Sequence, residues 1–140
     1  MTIQEIMTGA ADIIGPKTNM RDAAKRLRDD DVGALPVGEN DRLVGVITDR
    51  DIAVRGVAGD KDPDKSEVGE IMSEGIYYCF EDEDPQRAAE IMSERQVRRL
   101  PVLNRDKRLT GMISLSDLVQ AGLADKALSG VSADAAQARR

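Results

Sequence analysis

The chain carries the stretch Gly45-Val-Ile-Thr-Asp-Arg-Asp51 in two versions, because it returns later as Gly111-Met-Ile-Ser-Leu-Ser-Asp117. Each version runs from an apolar segment through Thr or Ser to an acid three residues further on. An apolar run followed by such a polar turn is typical of a buried strand that leads into a helix. The repetition therefore predicts two equivalent strand-to-helix turns.

The duplication extends outward from this stretch. Val32-Gly-Ala-Leu-Pro-Val37 returns as Val97-Arg-Arg-Leu-Pro-Val102, and Ile3-Gln-Glu-Ile-Met-Thr8 returns as Val68-Gly-Glu-Ile-Met-Ser73. The spacing between the copies changes by one residue, in the polar loop before the glycine, where insertions are tolerated best. A repeat that keeps its register everywhere else is a duplicated structural unit.

Both copies predict one order of elements: an apolar turn, a brief strand, a helix, a strand, a polar turn, a second strand and a second helix. Each copy is small for a core of its own, so the two are expected to pack on each other. The expected brief strands are 13–14 and 76–80, the first helices 20 to about 30 and 85 to about 95, the second strands 43–47 and 109–113, and the second helices 49–55 and 115–121. The expected organisation is repeat 1 at 1–56, a linker at 57–67, repeat 2 at 68–122 and a polar tail at 123–140.

Composition narrows the classes of function. The 140 residues carry a net charge of −6, which argues against binding to nucleic-acid backbones. Histidine is absent and cysteine occurs once, which removes the usual zinc and nucleophile–base sites and argues against an enzyme. No apolar run is long enough to cross a membrane, and the first residues do not resemble a signal peptide. We expect a cytoplasmic protein.

The two strand-to-helix turns allow two interpretations. Thr48 with Asp51, and Ser114 with Asp117, have the spacing of a helix capping box. Alternatively, the carboxylate accepts hydrogen bonds from two ribose hydroxyls, and the free amides of the helix start bind a phosphate. The second interpretation gains weight because the pattern occurs at equivalent places in both copies.

The combined pattern resembles the CBS domain, the family named for cystathionine β-synthase. Its marks here are Ile-Met-Thr/Ser, an Ala-Ala helix, Leu-Pro-Val and Gly-apolar-apolar-Thr/Ser-x-x-Asp, each present twice over roughly residues 3–122. The chain is similar to stand-alone bacterial CBS pairs, including those of the hypoxia-response type. The resemblance implies an α/β (α+β) Bateman module: two β-α-β-β-α repeats related by a pseudo-two-fold, packed through their sheets and dimerising. It also implies an adenosyl ligand such as AMP, ADP, ATP, NAD or S-adenosylmethionine.

Sites in this family are typically built crosswise from both repeats. By motif match, the first site would use Thr48, Arg50 and Asp51 with Tyr77, Tyr78, Val97, Arg98 and Arg99. The second site would use Ser114, Ser116 and Asp117 with Ile13, Ile14, Val32, Gly33 and Ala34. The arginines of the first site suit phosphates, so we expect that site to take a phosphorylated nucleotide.

Several of these residues also have plainer interpretations. Arg98 or Arg99 can pair with a surface acid such as Glu94, and the tyrosines can be core-facing strand residues rather than rings that stack on adenine. Alternation puts Tyr78 and Phe80 on one face of a strand and Tyr77 on the other. Cys79 is expected to be a core residue, and the acidic run at 81–84 a solvated loop rather than a cation site.

Together these features predict a non-catalytic sensor that requires no cofactor or metal. It would bind an adenosyl ligand and signal through a homodimer surface, made of helical faces, to an unidentified protein partner. A ligand-free dimeric scaffold or adaptor is the alternative.

Overall fold

The computed structural model describes residues 1–9, 13–74 and 77–123. The described chain forms two compact units. The first-repeat unit contains 13–74, and the second-repeat unit contains 1–9 together with 77–123. Each unit thus joins the body of one sequence repeat to the opening residues of the other repeat.

The helices and strands follow the duplicated order. The helices are α1 (Ile3–Ile6), α2 (Met20–Asp30), α3 (Asp49–Asp51), α4 (Val68–Ile71), α5 (Pro85–Arg95) and α6 (Leu115–Gln120), and α3 continues as a π-helical segment, Ile52–Val57. The strands are β1 (Thr8–Gly9), β2 (Ala34–Glu39), β3 (Arg42–Thr48), β4 (Cys79–Phe80), β5 (Arg99–Leu103) and β6 (Leu109–Ser114). This is the mixed α/β architecture predicted from the sequence.

In the first-repeat unit, β2 and β3 form an antiparallel pair in which Ala34 lies opposite Thr48. Ile14 adds a parallel bridge to Val37 on the other edge of β2. The buried apolar side chains of this unit are Ile14, Met20, Ala23, Leu27, Leu35, Val37, Ile47, Val68 and Ile71. Its core therefore includes residues of α4, which belong to the second repeat in sequence.

The second-repeat unit contains a four-stranded sheet in the order β1-β6-β5-β4. β5 and β6 are antiparallel with Arg99 opposite Ser114, and β1 adds Thr8 opposite Met112. The buried apolar side chains are Ile3, Cys79, Ala88, Ala89, Ile91, Met92, Leu100, Val102, Ile113 and Leu118. Ile3 comes from α1, so this core too borrows from the opposite repeat.

The long helices begin where their capping residues lie. Asn19 accepts a hydrogen bond from the amide of Asp22 at the start of α2, and Asp84 accepts one from the amide of Gln86 beside Pro85. The amides of Met20 and Arg21 donate to the carbonyls of Ser66 and Pro63, at 2.8 and 2.9 Å. The end of the expected linker is therefore held against the start of α2.

Three sequence expectations change in detail. The brief strand expected at 13–14 is a single bridge at Ile14, and the one at 76–80 is reduced to Cys79–Phe80, with residue 76 outside the described residues. The helix expected at 49–55 has only one α-helical turn before the π-helical segment. Residues 124–140 of the expected tail also lie outside the described residues. None of the described helices has the length and apolar character needed to cross a membrane.

Candidate functional site

Both strand-to-helix turns are complete capping boxes. Thr48 Oγ1 accepts from the amide of Asp51 at 3.0 Å, and the amide of Thr48 donates to Asp51 Oδ2 at 3.0 Å. Ser114 and Asp117 repeat this exchange at 3.1 and 2.8 Å. The capping interpretation of the sequence is therefore confirmed, and any ligand at these acids would use the carboxylate oxygens that the box leaves open.

The carboxylate of Asp51 is buried and has further partners. The Ser73 hydroxyl donates to Oδ1 at 3.1 Å and to Oδ2 at 3.3 Å, and Arg55 Nε lies 4.0 Å from Oδ1. Arg55 also donates to the carbonyl of Met72 at 3.2 Å. Asp51 is only 7% exposed, so these donors stabilise a charge that burial would otherwise penalise. Both of its oxygens are occupied.

The equivalent Asp117 has a different environment. Thr8 takes the place of Ser73 in the sequence repeat and lies opposite Met112, as Ser73 lies opposite Val46. Within the described residues, Thr8 makes no hydrogen bond to Asp117, and the two hydrogen bonds of the Ser114 box are the only ones at this half-buried turn. The position equivalent to Arg55 is Ala121, which has no charge to offer. Oδ1 of Asp117 is therefore open, in the sense that it accepts no hydrogen bond from the described residues.

The backbone amides at these helix starts are largely occupied, contrary to the expectation that they would be free for a phosphate. The amide of Asp49 donates to the carbonyl of Gly33 at 3.0 Å, and that of Arg50 donates to Asp49 Oδ1 at 2.8 Å. The amide of Leu115 donates to the carbonyl of Arg98 at 2.8 Å. A phosphate would need side-chain donors instead.

The glycine of each motif is required by a close approach of the returning chain. A Cβ atom on Gly45 would lie 2.5 Å from Sδ of Met72 and 3.0 Å from the carbonyl oxygen of Ser73. A Cβ on Gly111 would collide with the carbonyl oxygen of Thr8. The absence of a side chain lets the Ile-Met-Thr/Ser segment of one repeat lie against the strand of the other. In the first-repeat unit, this contact brings Ser73 to Asp51.

The expected site residues divide between the two units. The first-repeat unit holds Ile13, Ile14, Val32, Gly33, Ala34, Thr48, Arg50 and Asp51. The second-repeat unit holds Tyr77, Tyr78, Val97, Arg98, Arg99, Ser114, Ser116 and Asp117. Within each unit, the segment before Leu-Pro-Val lies beside the hydroxyl–acid turn of the same unit, since Ala34 faces Thr48 and Arg99 faces Ser114.

Arg98 and Arg99 form no ion pairs with acidic side chains among the described residues. Neither guanidinium forms an ion pair or a hydrogen bond within the described part of the chain, so the expected alternative of a pair with Glu94 is not observed. Arg98 is exposed and Arg99 half-buried. Directly opposed residues of an antiparallel pair project to the same face. The side chain of Arg99 therefore lies on the face that carries Ser114.

Both tyrosines are exposed, so the alternative interpretation of core-facing rings is wrong. Tyr77 is 43% exposed with the guanidinium of Arg95 4.5 Å from its ring centroid, and Tyr78 is 37% exposed. Tyr78 makes an edge-to-face contact with Phe80 at 5.6 Å. The predicted sharing of a face by Tyr78 and Phe80 is confirmed, and both tyrosine side chains are partly exposed.

The apolar site residues of the first-repeat unit are partly structural. Ile14 is buried beside Val37, while Ile13, Gly33 and Ala34 are half-buried. Val32 lines an open cleft of about 290 Å³. The other residues of that cleft are Ala24, Leu27, Arg28, Asp49 and Ile52. Neither Thr48 nor Asp51 lines this cleft, although Asp49 of the same turn does.

Cys79 and the acidic run at 81–84 have structural roles. Cys79 is 1% exposed, and burial raises the pKa of its thiol to about 12, with a smaller contribution from the charge of Glu83. Glu83 accepts from the amide of Phe80, and Asp82 pairs with Arg105, whose guanidinium holds the pKa of that carboxyl below its ordinary value. Among the described residues, no three His, Cys, Asp or Glu side chains are grouped to hold a metal ion.

Sequence reasoning missed Ser73 and Arg55 as neighbours of the acid. Ser73 was visible only as part of the repeated Ile-Met-Thr/Ser mark, and it lies 22 residues from Asp51. Arg55 is four residues from Asp51, the spacing of helical neighbours. That spacing was the feature of the sequence that could have identified Arg55 as a neighbour of Asp51.

Comparison with known proteins agrees with this geometry. The CBS-domain profile matches residues 3–56 and 68–124. Hypoxic response protein 1 of Mycobacterium tuberculosis is 37% identical over 120 residues, covering 85% of this chain and 83% of that protein.

Solved structures give the same result. A crystal structure of Hypoxic Response Protein I with two coordinated zinc ions has a TM-score of 0.78 and 36% identity, covering 86% of this chain and 98% of that one. CBSX2 in complex with AMP has a TM-score of 0.73 and 28% identity, covering 87% and 96%. The chain therefore belongs to the CBS-domain family, as a tandem pair of a kind that is generally regulatory and non-catalytic.

Proposed function

We propose that the chain is a sensor that binds one adenosyl ligand through the carboxylate of Asp117. The observation that carries the proposal is the open Oδ1 of Asp117, in a half-buried turn already positioned by Ser114. A fixed carboxylate accepts hydrogen bonds from two adjacent ribose hydroxyls, as the acid of dinucleotide folds does.

Arg98 and Arg99 supply the positive charge for the phosphate. Both guanidinium groups lack a partner within the described residues, and Arg99 shares a strand face with Ser114. A guanidinium forms forked, charge-assisted hydrogen bonds to phosphate oxygens. This favours a phosphorylated ligand such as AMP, ADP, ATP or NAD over S-adenosylmethionine, which has no phosphate.

Tyr77 and Tyr78 offer surfaces on which an adenine ring stacks. Their rings are partly exposed, and the ring of Tyr77 is held by Arg95. An aromatic side chain can stack on any base, because every base has a π-face. The AMP complex of the related CBSX2 supports the choice of an adenine ligand. The remaining residues of the two expected sites stay predictions.

Ligand binding would act by shifting a conformational equilibrium. A ligand shifts an equilibrium only if it binds one arrangement more tightly than the other. We infer that the chain forms a cytoplasmic homodimer in which helical faces are buried at the interface between protomers. A protein partner would recognise a surface of this dimer. Light scattering with and without AMP measures the oligomeric state on which this step depends.

Isothermal titration calorimetry with AMP, ADP, ATP, NAD and S-adenosylmethionine tests the proposal. We expect AMP binding that is lost in Asp117→Asn and weakened at least tenfold in Arg99→Ala. Arg87→Ala is the matched control, since Arg87 lies on α5 and pairs with Glu83 and Glu90 rather than with a residue of the proposed site. If no adenosyl ligand binds at millimolar concentration and the protein is a stable dimer, the chain is a scaffold instead.

A further inference from the structure

The two hydroxyl–acid turns differ in one respect that bears on ligand stoichiometry. In the first-repeat unit, Ser73 donates to both oxygens of Asp51, whereas the equivalent Thr8 leaves Asp117 without such a contact among the described residues. Ser73 thus supplies a hydroxyl donor to this carboxylate, the same kind of group that a ribose would supply. A ribose at Asp51 would have to displace a hydrogen bond that the chain already makes.

Arg55 is a second group that contacts the carboxylate of Asp51. Its guanidinium lies 4.0 Å from Asp51 Oδ1 and donates to the carbonyl of Met72, the residue before Ser73. The acid, the arginine and the returning segment are thus linked to one another. At the equivalent position of the second copy, Ala121 has no such group. Among the described residues, Asp117 therefore receives neither of the contacts that Ser73 and Arg55 make to Asp51.

The returning segment is firmly held in this position. The amide of Val46 donates to the carbonyl of Ser73 at 3.0 Å, and the amide of Ser73 donates to the carbonyl of Val46 at 2.9 Å. Val68 and Ile71 of the preceding helix α4 are buried in the core of the same unit. Ser73 is therefore part of the packed unit. Backbone hydrogen bonds and core packing hold its hydroxyl beside the carboxylate of Asp51.

We infer that Ser73 acts as a built-in occupant of the first-copy carboxylate, so that the chain binds one adenosyl ligand rather than two. The inference rests on the proposed function, and it reverses the sequence-based expectation that the first site takes the nucleotide. Ser73 and Arg55 are then the residues that set stoichiometry. Removal of the Ser73 hydroxyl leaves Oδ1 of Asp51 without a hydrogen-bond donor, while Oδ2 stays in the capping box, as it does in Asp117.

Calorimetric titration of the full chain with AMP tests this inference. We expect one AMP per wild-type chain, and two per chain for Ser73→Ala, the second at least tenfold weaker. Adding Asp51→Asn to Ser73→Ala should return the stoichiometry to one. Thr8→Ala is the matched control and should bind one AMP, because Thr8 makes no hydrogen bond to Asp117 within the described residues. Ser73→Gly also removes the hydroxyl and is the second variant if Ser73→Ala folds poorly.

The outcomes separate the two proposals. One AMP per chain that is lost with Asp117→Asn, but stays at one in both Ser73→Ala and Ser73→Gly, overturns the role of Ser73 and leaves the proposed function intact. Two AMP per wild-type chain, or loss of binding only with Asp51→Asn, also overturns it. If neither the wild type nor Ser73→Ala binds any nucleotide, the proposed function fails and this inference fails with it.

Discussion

The hydroxyl of Ser73 donates to both carboxylate oxygens of Asp51, at 3.1 and 3.3 Å, across 22 residues of sequence. This contact joins the last residue of the second repeat's opening motif to the acid of the first repeat's closing motif. The two turns look alike in sequence, but this contact makes them chemically different. Asp51 is used within the fold, whereas Asp117 keeps one carboxylate oxygen without a hydrogen bond from the described part of the chain.

The buried acid should contribute more to stability than its counterpart. We expect Asp51→Asn to lower the free energy of unfolding by about 1.5–3 kcal/mol, the range for hydrogen bonds to a charged group. Asp117→Asn should cost about 1 kcal/mol or less, because only a capping interaction is weakened. Urea denaturation followed by circular dichroism measures both values. Equal losses would mean that Ser73 and Arg55 add nothing to the stability of the first turn.

The motif glycines should not tolerate a methyl group. We expect Gly45→Ala and Gly111→Ala to destabilise the protein by about 1–3 kcal/mol, the usual cost of overpacking. Gly111→Ala should be the more damaging, because its methyl meets the backbone carbonyl of Thr8, whereas at Gly45 the nearest atom belongs to the flexible side chain of Met72. Gly9→Ala is the control, since a Cβ there has no neighbour within 4 Å. Thermal unfolding of the three variants gives the ranking.

The thiol of Cys79 should be unreactive in the folded protein. Burial raises its pKa to about 12, so almost no thiolate is present near pH 8. Iodoacetamide should label the native chain far more slowly than the chain in 8 M urea (about the concentration at which small domains are unfolded). Rapid labelling of the native chain would show that the residue is not in the core.

The same thiol should make stability depend on alkaline pH. The ordinary pKa of 9.0 applies to the unfolded chain, and the folded value is about 12. Below pH 9 both states keep the proton, and between pH 9 and 12 the unfolded chain releases it first. The free energy of unfolding should therefore fall over this interval, by at most about 1.4 kcal/mol for each pH unit from this group. Cys79→Ala should lose that part of the slope, and an unchanged slope would contradict the assignment.

The start of α2 should depend on the side chain of Asn19. We expect Asn19→Ala to cost about 1 kcal/mol, because the amide of Asp22 loses its acceptor. Asn19→Asp keeps an acceptor oxygen and should restore stability to near the wild-type value. Chemical denaturation of the two variants provides the measurement. An Ala variant as stable as the Asp variant would mean that the linker carbonyls of Pro63 and Ser66 suffice to hold this helix end.

Much of the architecture was predictable because its signals are local. The bounds of α2 and α5 match the expected helices, since Asn19, Asp84 and Pro85 mark their starts and buried residues recur at helical spacing. The capping boxes were also predictable, because Thr or Ser and the acid are three residues apart. The brief first strands were overestimated, since apolar character alone does not tell how many backbone hydrogen bonds a neighbour will supply.

The sequence by itself determined that the fold is a duplicated CBS pair, where its main helices and strands lie, and which hydroxyl and acid form each turn. All of these follow from short spacings and from comparison of the two copies. Only the tertiary structure decided that α4 packs into the first-repeat unit and that Ser73 reaches Asp51. The partners of a buried carboxylate depend on which distant backbone segment approaches it, and that approach is set by packing of the whole core and by the space above Gly45.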